Sequence, residues 1–225
     1  MGFLFLTVLA AYLLGSINGS LLLGRLRGID IRTQGSGNAG GTNALRTQGK
    51  VFALGVVLID IGKAYVAAGW LPQWLPDFGG VSGSRWLDMA CAFAAIVGHV
   101  YPVFHGFRGG KGVATVLGAL LALSPVLLVM VLGIWLLAMV IFGYVGLGSM
   151  LATGASPLLA WWAVQAHWVP AADLVPWVVF GLLCSVFVVF THRGNIARMR
   201  AGTEPRARSL WLLGRWRDDP VPPHE

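Results

Sequence analysis

From residue 3 to residue 191 the chain alternates apolar runs with short stretches of glycine, amide and basic residues. The runs fall at 3–23, 51–71, 88–104, 112–123, 126–142, 147–165 and 174–191. Most approach the ~20 residues that an α-helix needs to cross a ~30 Å hydrocarbon core. The exception is 112–123, only ~18 Å long at ~1.5 Å per residue, which predicts a short or partly re-entrant helix. Pro125 divides the fourth run from the fifth, GYVGLGS divides the fifth from the sixth, and HWVPAAD forms a turn before the last. The pattern predicts an all-α, polytopic membrane protein with seven segments in one transmembrane bundle.

Charge orients the bundle. Arg25, Arg27 and Arg32 follow the first run, so residues 24–50 are expected in the cytoplasm and the N-terminus outside. No positive charge precedes that run, which therefore lacks the n-region of a cleaved signal peptide. Residues 72–87, rich in Pro, Gly and Trp, read as an outer loop. The loop with Arg108 and Lys111 and the basic stretch after 191 return inside. Of the 16 Lys and Arg residues, all except Lys63 and Arg85 then lie inside, with the C-terminus.

Composition agrees. Hydrophobic residues make up 56% of the 225, charged residues only 11%, and the mean hydropathy is +0.73. A soluble domain carries about 25% charged residues. The 31 glycines suit helices that pack closely in lipid. Cys91 and Cys184 lie in apolar runs and read as small buried hydrophobes. Residues 1–204 form one membrane-embedded domain on this reading, and 205–225 a basic cytoplasmic tail.

Three expected cytoplasmic stretches carry the chemistry: GSGNAGGTNALR (35–46), HGFRGGKGVAT (105–115) and THRGNIARMRAGTE (191–204). Irregular backbone at membrane depth must be buried in protein or line a wet cavity. These loops are therefore expected to fold onto one another at one rim. Gly35, Gly37, Gly40 and Gly41 permit positive φ, so that successive N–H groups converge on an anion. Ser36, Asn38, Thr42 and Asn43 add donors. Arg46 and Lys111, the latter behind Gly110, supply positive charge. Residues 35–46 thus read as a phosphate-binding nest.

Other readings are weaker. Residues 35–40 match G-x-G-x-x-G, but no βαβ unit surrounds them. In GGKGVAT, His105 stands where a P-loop needs its first glycine. A flexible tether does not need Ser, Asn, Thr and Asn among its glycines. Arg25, Arg27, Arg206, Arg208, Arg215 and Arg217 read as topology signals and lipid-headgroup contacts. His192 and Asn195 share a helix face. His99, near the inner end of the third run, is a further candidate, ahead of His105. His167 and His224 are incidental. Asp60 and Lys63, at i and i+3 inside a run, read as an internal ion pair. Glu204 can bind a loop arginine or cap a turn. Nothing marks a metal centre, a carboxylate pair or a serine triad.

GSGNAGGTNALR, GHVYPVFHGFRGGKGVAT and HRGNIARMRAGTE together resemble the three cytoplasmic motifs of the bacterial acyl-phosphate:glycerol-3-phosphate acyltransferases, the PlsY family. They stand in the family's order from about residue 12 to about 204. The resemblance implies a seven-helix bundle in the bacterial inner membrane with a cytoplasm-facing site. It implies acyl transfer from acyl phosphate to the 1-hydroxyl of glycerol 3-phosphate, giving lysophosphatidic acid and phosphate. No cofactor, metal or nucleic acid is implied; membrane lipid and a soluble acyl-phosphate-producing enzyme are the further expected partners. The matching residues are Ser36, Asn38 and Arg46, then Lys111, then His192 and Asn195. Ser149 falls where the family has a serine. Two departures stand out: Gly146 replaces another common serine, and Asn18 in GSING replaces a usual proline.

An acyl phosphate is already activated, so direct attack by the glycerol hydroxyl needs donors and charge more than a nucleophile. The base is either His192 or the donor's own phosphate. The alternative classes are a transporter of phosphate or a phosphorylated metabolite, which should hold its site near the midplane, and a non-catalytic scaffold. Polar residues gathered at one face favour the enzyme.

Overall fold

The first apolar run is not one helix. Helix α1 spans Gly2–Gly15 and α2 spans Gly19–Leu26, with a 49° bend between them. Asn18 makes the break. Its backbone is extended (φ −80°, ψ 122°), and its side-chain oxygen caps α2 by accepting from Leu21 N. Its amide nitrogen donates to Ala39 O at 3.2 Å. An asparagine cap thus breaks the helix where the resemblance led to a proline. Backbone groups freed in lipid need partners. Ile17 O accepts from Lys63 Nζ at 2.9 Å, and Gly19 N donates to Asp60 Oδ1 at 3.0 Å.

The computed structural model describes residues 2–74 and 84–213, and every regular element among them is helical. A 3-10 turn, Ile31–Thr33, precedes α3, Gly41–Gln48. Helix α4, Lys50–Tyr65, continues through a π turn at Val66–Trp70 into α5, Leu71–Trp74. Then follow α6 (Arg85–Val100), α7 (Val113–Leu123), α8 (Pro125–Phe142), α9 (Val145–Gln165), α10 (Leu174–Thr191) and α11 (Arg193–Arg200). Most of the outer loop read at 72–87, and the tail beyond 213, lie outside the described residues.

Among the described residues five helical stretches are long and apolar enough to cross a membrane, and the bent α1–α2 pair makes six if counted as one span. Helix α7 has 11 residues, about 17 Å, and is the short segment its run foretold. The outward surface is apolar: Val129, Leu158 and Val186 are 68%, 72% and 72% exposed. Lipid, not water, suits such a surface.

Inside, the largest core joins α6 to α10 through Ile96, Val116, Leu127, Trp177 and Phe180. Helices α1 and α6 touch backbone to backbone, since a Cβ on Gly98 would lie 2.2 Å from Tyr12 O. Asp60 and Lys63 form the internal ion pair their spacing predicts, at 2.9 Å, with His99 Nδ1 3.3 Å from the same carboxylate oxygen. At the far end Arg85 donates to Asp88 and to Asp173, which fastens α6 to the turn before α10.

Candidate active site

The three polar stretches meet at one end of the bundle. Asp30 opens the first by accepting from Arg32 N, and pairs with the Arg32 guanidinium at 2.8 Å. That hydrogen-bonded pairing holds the Asp30 carboxyl below its ordinary range. Arg32 Nη1 also donates to His105 O at 2.9 Å and Arg108 O at 3.2 Å, so it ties the first stretch to the second.

Residues 35–46 are only half a loop. Gly35 (φ 55°) and Gly37 (φ 70°) are left-handed, whereas Gly40 is extended at the cap of α3 and Gly41 is that helix's first residue. Thr42, Asn43 and Arg46 are therefore helical, because GTNALRTQ has no breaker after its first residue. Asn43 is buried. Its amide nitrogen donates to Ile31 O and Gln34 O, and its oxygen accepts from Ser36 N at 2.9 Å. Asn43 thus braces the loop, while Ser36 and Arg46 stay exposed and Asn38 is half-buried.

The second stretch folds back on the end of α6. Gly109 N donates to Val100 O and Gly110 N to His99 O. Gly110 is wedged: a Cβ there would lie 2.2 Å from His99 Nε2 and 2.7 Å from Ala39 O. His99 is buried behind this loop with Lys63 Nζ 3.0 Å from its Nδ1, rather than at the open rim.

The third stretch completes the site. Lys111 Nζ donates to Asn195 Oδ1 in a close contact. Thr191 Oγ1 donates to Lys111 O at 3.1 Å. Asn195 Nδ2 donates to Glu204 Oε1 at 2.6 Å, and Arg198 Nε to Glu204 Oε2 at 2.6 Å. His192 joins α10 to α11, with Nδ1 2.8 Å from Val188 O. A carbonyl only accepts, so Nδ1 carries the proton and Nε2 keeps its lone pair. Burial, then the nearby Lys111 charge, pull the His192 pKa down to about 4, so the imidazole is neutral. Burial also lowers Lys111, to about 8, helped by the Arg198 and Arg46 charges and opposed by Glu204. Ser149 is buried one turn inside α9 and donates to Val145 O, while Gly146 packs against Asn195. Among the described residues no group of three His, Cys, Asp or Glu offers a metal site.

The arrangement is a cationic, donor-rich rim with one neutral imidazole. Arg32 and Arg198 were not read as site residues from sequence. The i, i+3 spacing of Asn195 and Arg198 was the available signal.

The family model for glycerol-3-phosphate acyltransferases matches residues 5–202. The chain belongs to this family. A glycerol-3-phosphate acyltransferase of Chlorobaculum tepidum is 41% identical over 224 residues, covering 88% of this chain and 94% of the relative. One of a Synechococcus strain is 41% identical over 207 residues, covering 92% and 96%. Two crystal structures of PlsY, an integral membrane glycerol 3-phosphate acyltransferase, share 32% identity and cover 93% of this chain and 98% of that one. Their glycerol 3-phosphate and lysophosphatidic acid forms give TM-scores of 0.74 and 0.72. As a glycerol-3-phosphate acyltransferase family member with several spanning-length helices, the chain is an integral membrane protein.

Proposed function

We propose that the protein transfers a fatty acyl group from acyl phosphate to the 1-hydroxyl of glycerol 3-phosphate, releasing lysophosphatidic acid and phosphate. The observation that carries this reading is the Lys111–Asn195 pair beside neutral His192, at the same rim as Ser36 and Arg46. Both substrates are phosphate anions, and the rim offers Arg46, Lys111 and the donors of residues 35–46. The bundle crosses the inner membrane seven times on this reading, N-terminus out and C-terminus in. Residues 1–204 carry the catalysis, and the rim faces the cytoplasm.

The glycerol hydroxyl oxygen bonds to the acyl carbon. The acyl C–O bond to phosphate breaks, and phosphate leaves with the electron pair. Lys111 and Arg46 hold the anionic oxygens, Ser36 adds a donor, and Asn195 positions the Lys111 ammonium by accepting from it. An imidazole with a pKa of about 4 is a weak base. The proton of the attacking hydroxyl therefore passes directly to an oxygen of the leaving phosphate, and His192 Nε2 orients the glycerol by accepting from its other hydroxyl. The acyl chain enters the bundle below the rim. A small apolar gap deeper in the bundle, lined by Val116, Leu120, Thr153, Gly181 and Cys184 among others, would widen to take its end. Cys184 lies eight positions before His192 on α10, about 12 Å down the helix axis.

The test is phosphate release from purified protein given acyl phosphate with and without glycerol 3-phosphate. Release that requires glycerol 3-phosphate, with lysophosphatidic acid formed, supports the reading. Inertness toward acyl phosphate and acyl-CoA alike would sink it.

A further inference from the structure

The last four carbonyls of a helix lack partners within it, and at the end of a membrane span they must be met by other groups. At the end of α8 two of them, and the carbonyl of the following Gly143, are met from far along the chain. Ala207 N donates to Gly143 O at 2.8 Å, Trp211 Nε1 to Ile141 O at 3.1 Å, and Leu213 N to Val140 O at 3.3 Å. Trp211 lies flush against Gly143, where a Cβ would sit 2.8 Å from its ring. The Arg206 guanidinium sits 4.8 Å from the Tyr144 ring and 3.9 Å from the Trp211 ring. The segment starts from Glu204, the residue that holds Asn195 and Arg198. Residues 205–213 therefore strap the α8–α9 turn to α11.

The outward side of this strap is amphipathic. Leu210, Leu212 and Leu213 are 38%, 46% and 59% exposed, beside the exposed Ile141 and Phe142 at the end of lipid-facing α8. Arg206 and Arg208 are exposed on the strap, and Arg193 and Arg200 on neighbouring α11. No acidic residue lies between 205 and 213. Leucine and tryptophan with arginine, at the level where a spanning helix ends, match the chemistry of an anionic headgroup layer.

We propose that residues 205–213 are an interfacial strap that binds the anionic lipid surface of the membrane and, by capping α8 and anchoring Glu204, keeps Asn195 in place for catalysis. Arginines at an anionic surface each favour the bound state about fivefold. Anionic lipid then tightens the strap and raises activity. The activity arm rests on the proposed acyl transfer; the binding arm does not.

The experiment uses full-length protein in bilayers of phosphatidylcholine alone and with phosphatidylglycerol added. Amide hydrogen exchange is followed in peptides covering 139–146 and 205–213, together with glycerol-3-phosphate-dependent phosphate release. Phosphatidylglycerol should slow exchange in both peptides several-fold and raise release. Arg200→Gln/Arg208→Gln, which touches no capping contact, should keep its behaviour in phosphatidylcholine and lose the response to phosphatidylglycerol. Trp211→Ala should speed exchange at 139–146 in both bilayers. Exchange that is indifferent to phosphatidylglycerol in the wild type, or a response unchanged in the double variant, overturns the strap while release still stands for the enzyme. Slowed exchange with no release in either bilayer keeps the strap's lipid binding and overturns the acyl transfer together with the catalytic link.

Discussion

Lys111 and Asn195 lie 84 positions apart and meet side chain to side chain. The contact works because Asn195 is gripped from behind. Its amide nitrogen goes to Glu204, so its oxygen must face the lysine. The same carboxylate takes Arg198, which keeps its buried charge compensated. One acidic residue thus orients the amide that meets the rim's buried cation.

Removing either partner tests that relationship. Lys111→Ala should lower kcat about 10²- to 10³-fold, the range for one lost charge-stabilising donor, and Asn195→Ala, which leaves the Lys111 ammonium unpositioned, should lower it less. Asn195→Asp puts a second carboxylate against Glu204, where like charges repel. It should match or exceed the Asn195→Ala loss without unfolding the protein. Phosphate release, with melting temperature as the folding control, measures both.

The pH profile follows from Lys111. Its pKa is lowered to about 8, and the cationic form grips phosphate. Activity is therefore present below about pH 8 and falls as pH rises through that value. His192 stays neutral down to about 4, so it sets no limb between pH 5 and 8. An acid limb near pH ~6 instead reflects the second ionisation of substrate phosphate. In Lys111→Arg the residual rate should stay flat across pH ~8–10, since guanidinium does not deprotonate there. A high-pH limb that persists near 8 in this variant would assign it elsewhere.

Much of this site was legible in the sequence, and the illegible part has physical causes. The three stretches announced themselves because glycine, amide and basic residues stand out against apolar runs, and the runs fall on helices, although the first is broken at Asn18. Asn18 and Asn43 show the limit. Asn18 reads as a departure inside the first run and Asn43 as a donor to a phosphate, yet each is buried and spends its amide on backbone carbonyls from distant turns. Whether an asparagine faces a substrate or braces a loop depends on tertiary contacts that a local pattern does not carry. His99 shows the same thing. It lies in a motif stretch, but the turn of Gly109 and Gly110 back onto α6 puts it behind the loop.

The cluster behind that loop sets a stability prediction. Lys63 lies between Asp60, His99 and the free Ile17 carbonyl, and is 6% exposed. Lys63→Met leaves the Asp60 carboxylate buried with its nearest cation gone, a change that costs about 3–5 kcal/mol. Asp60→Asn/Lys63→Met removes both charges and should regain a large part of that loss. Thermal unfolding in detergent compares the two. Equal destabilisation by both would mean the Ile17 contact, and not the charge, is what Lys63 supplies.

The break in the first helix allows a sharper comparison. Asn18 has φ −80° and ψ 122°, values that proline adopts readily. Asn18→Pro should therefore keep the 49° bend while losing the α2 cap and the bond to Ala39. Loss of a cap costs about 1 kcal/mol, so a fall of a few degrees in melting temperature is expected, with activity kept within a few-fold. Asn18→Leu lacks both the cap and the fixed φ, and should fall further.

The small gap between α7, α8, α9 and α10 gives the last prediction. Its walls are apolar apart from Thr153 and Ser156, and Cys184 lines it without a disulfide. A phenylalanine at 184 adds bulk about two turns below His192, where an acyl chain entering from the rim would need room. Cys184→Phe should therefore shift preference toward shorter acyl phosphates by raising KM for long chains, while the KM for glycerol 3-phosphate stays unchanged. Overpacking a core costs about 1–3 kcal/mol by itself, so stability alone does not distinguish the cases. The ratio of kcat/KM between short and long donors does, because a merely destabilised enzyme loses both in proportion. An unchanged ratio would place the chain outside this cavity, along the lipid-facing surface of the bundle.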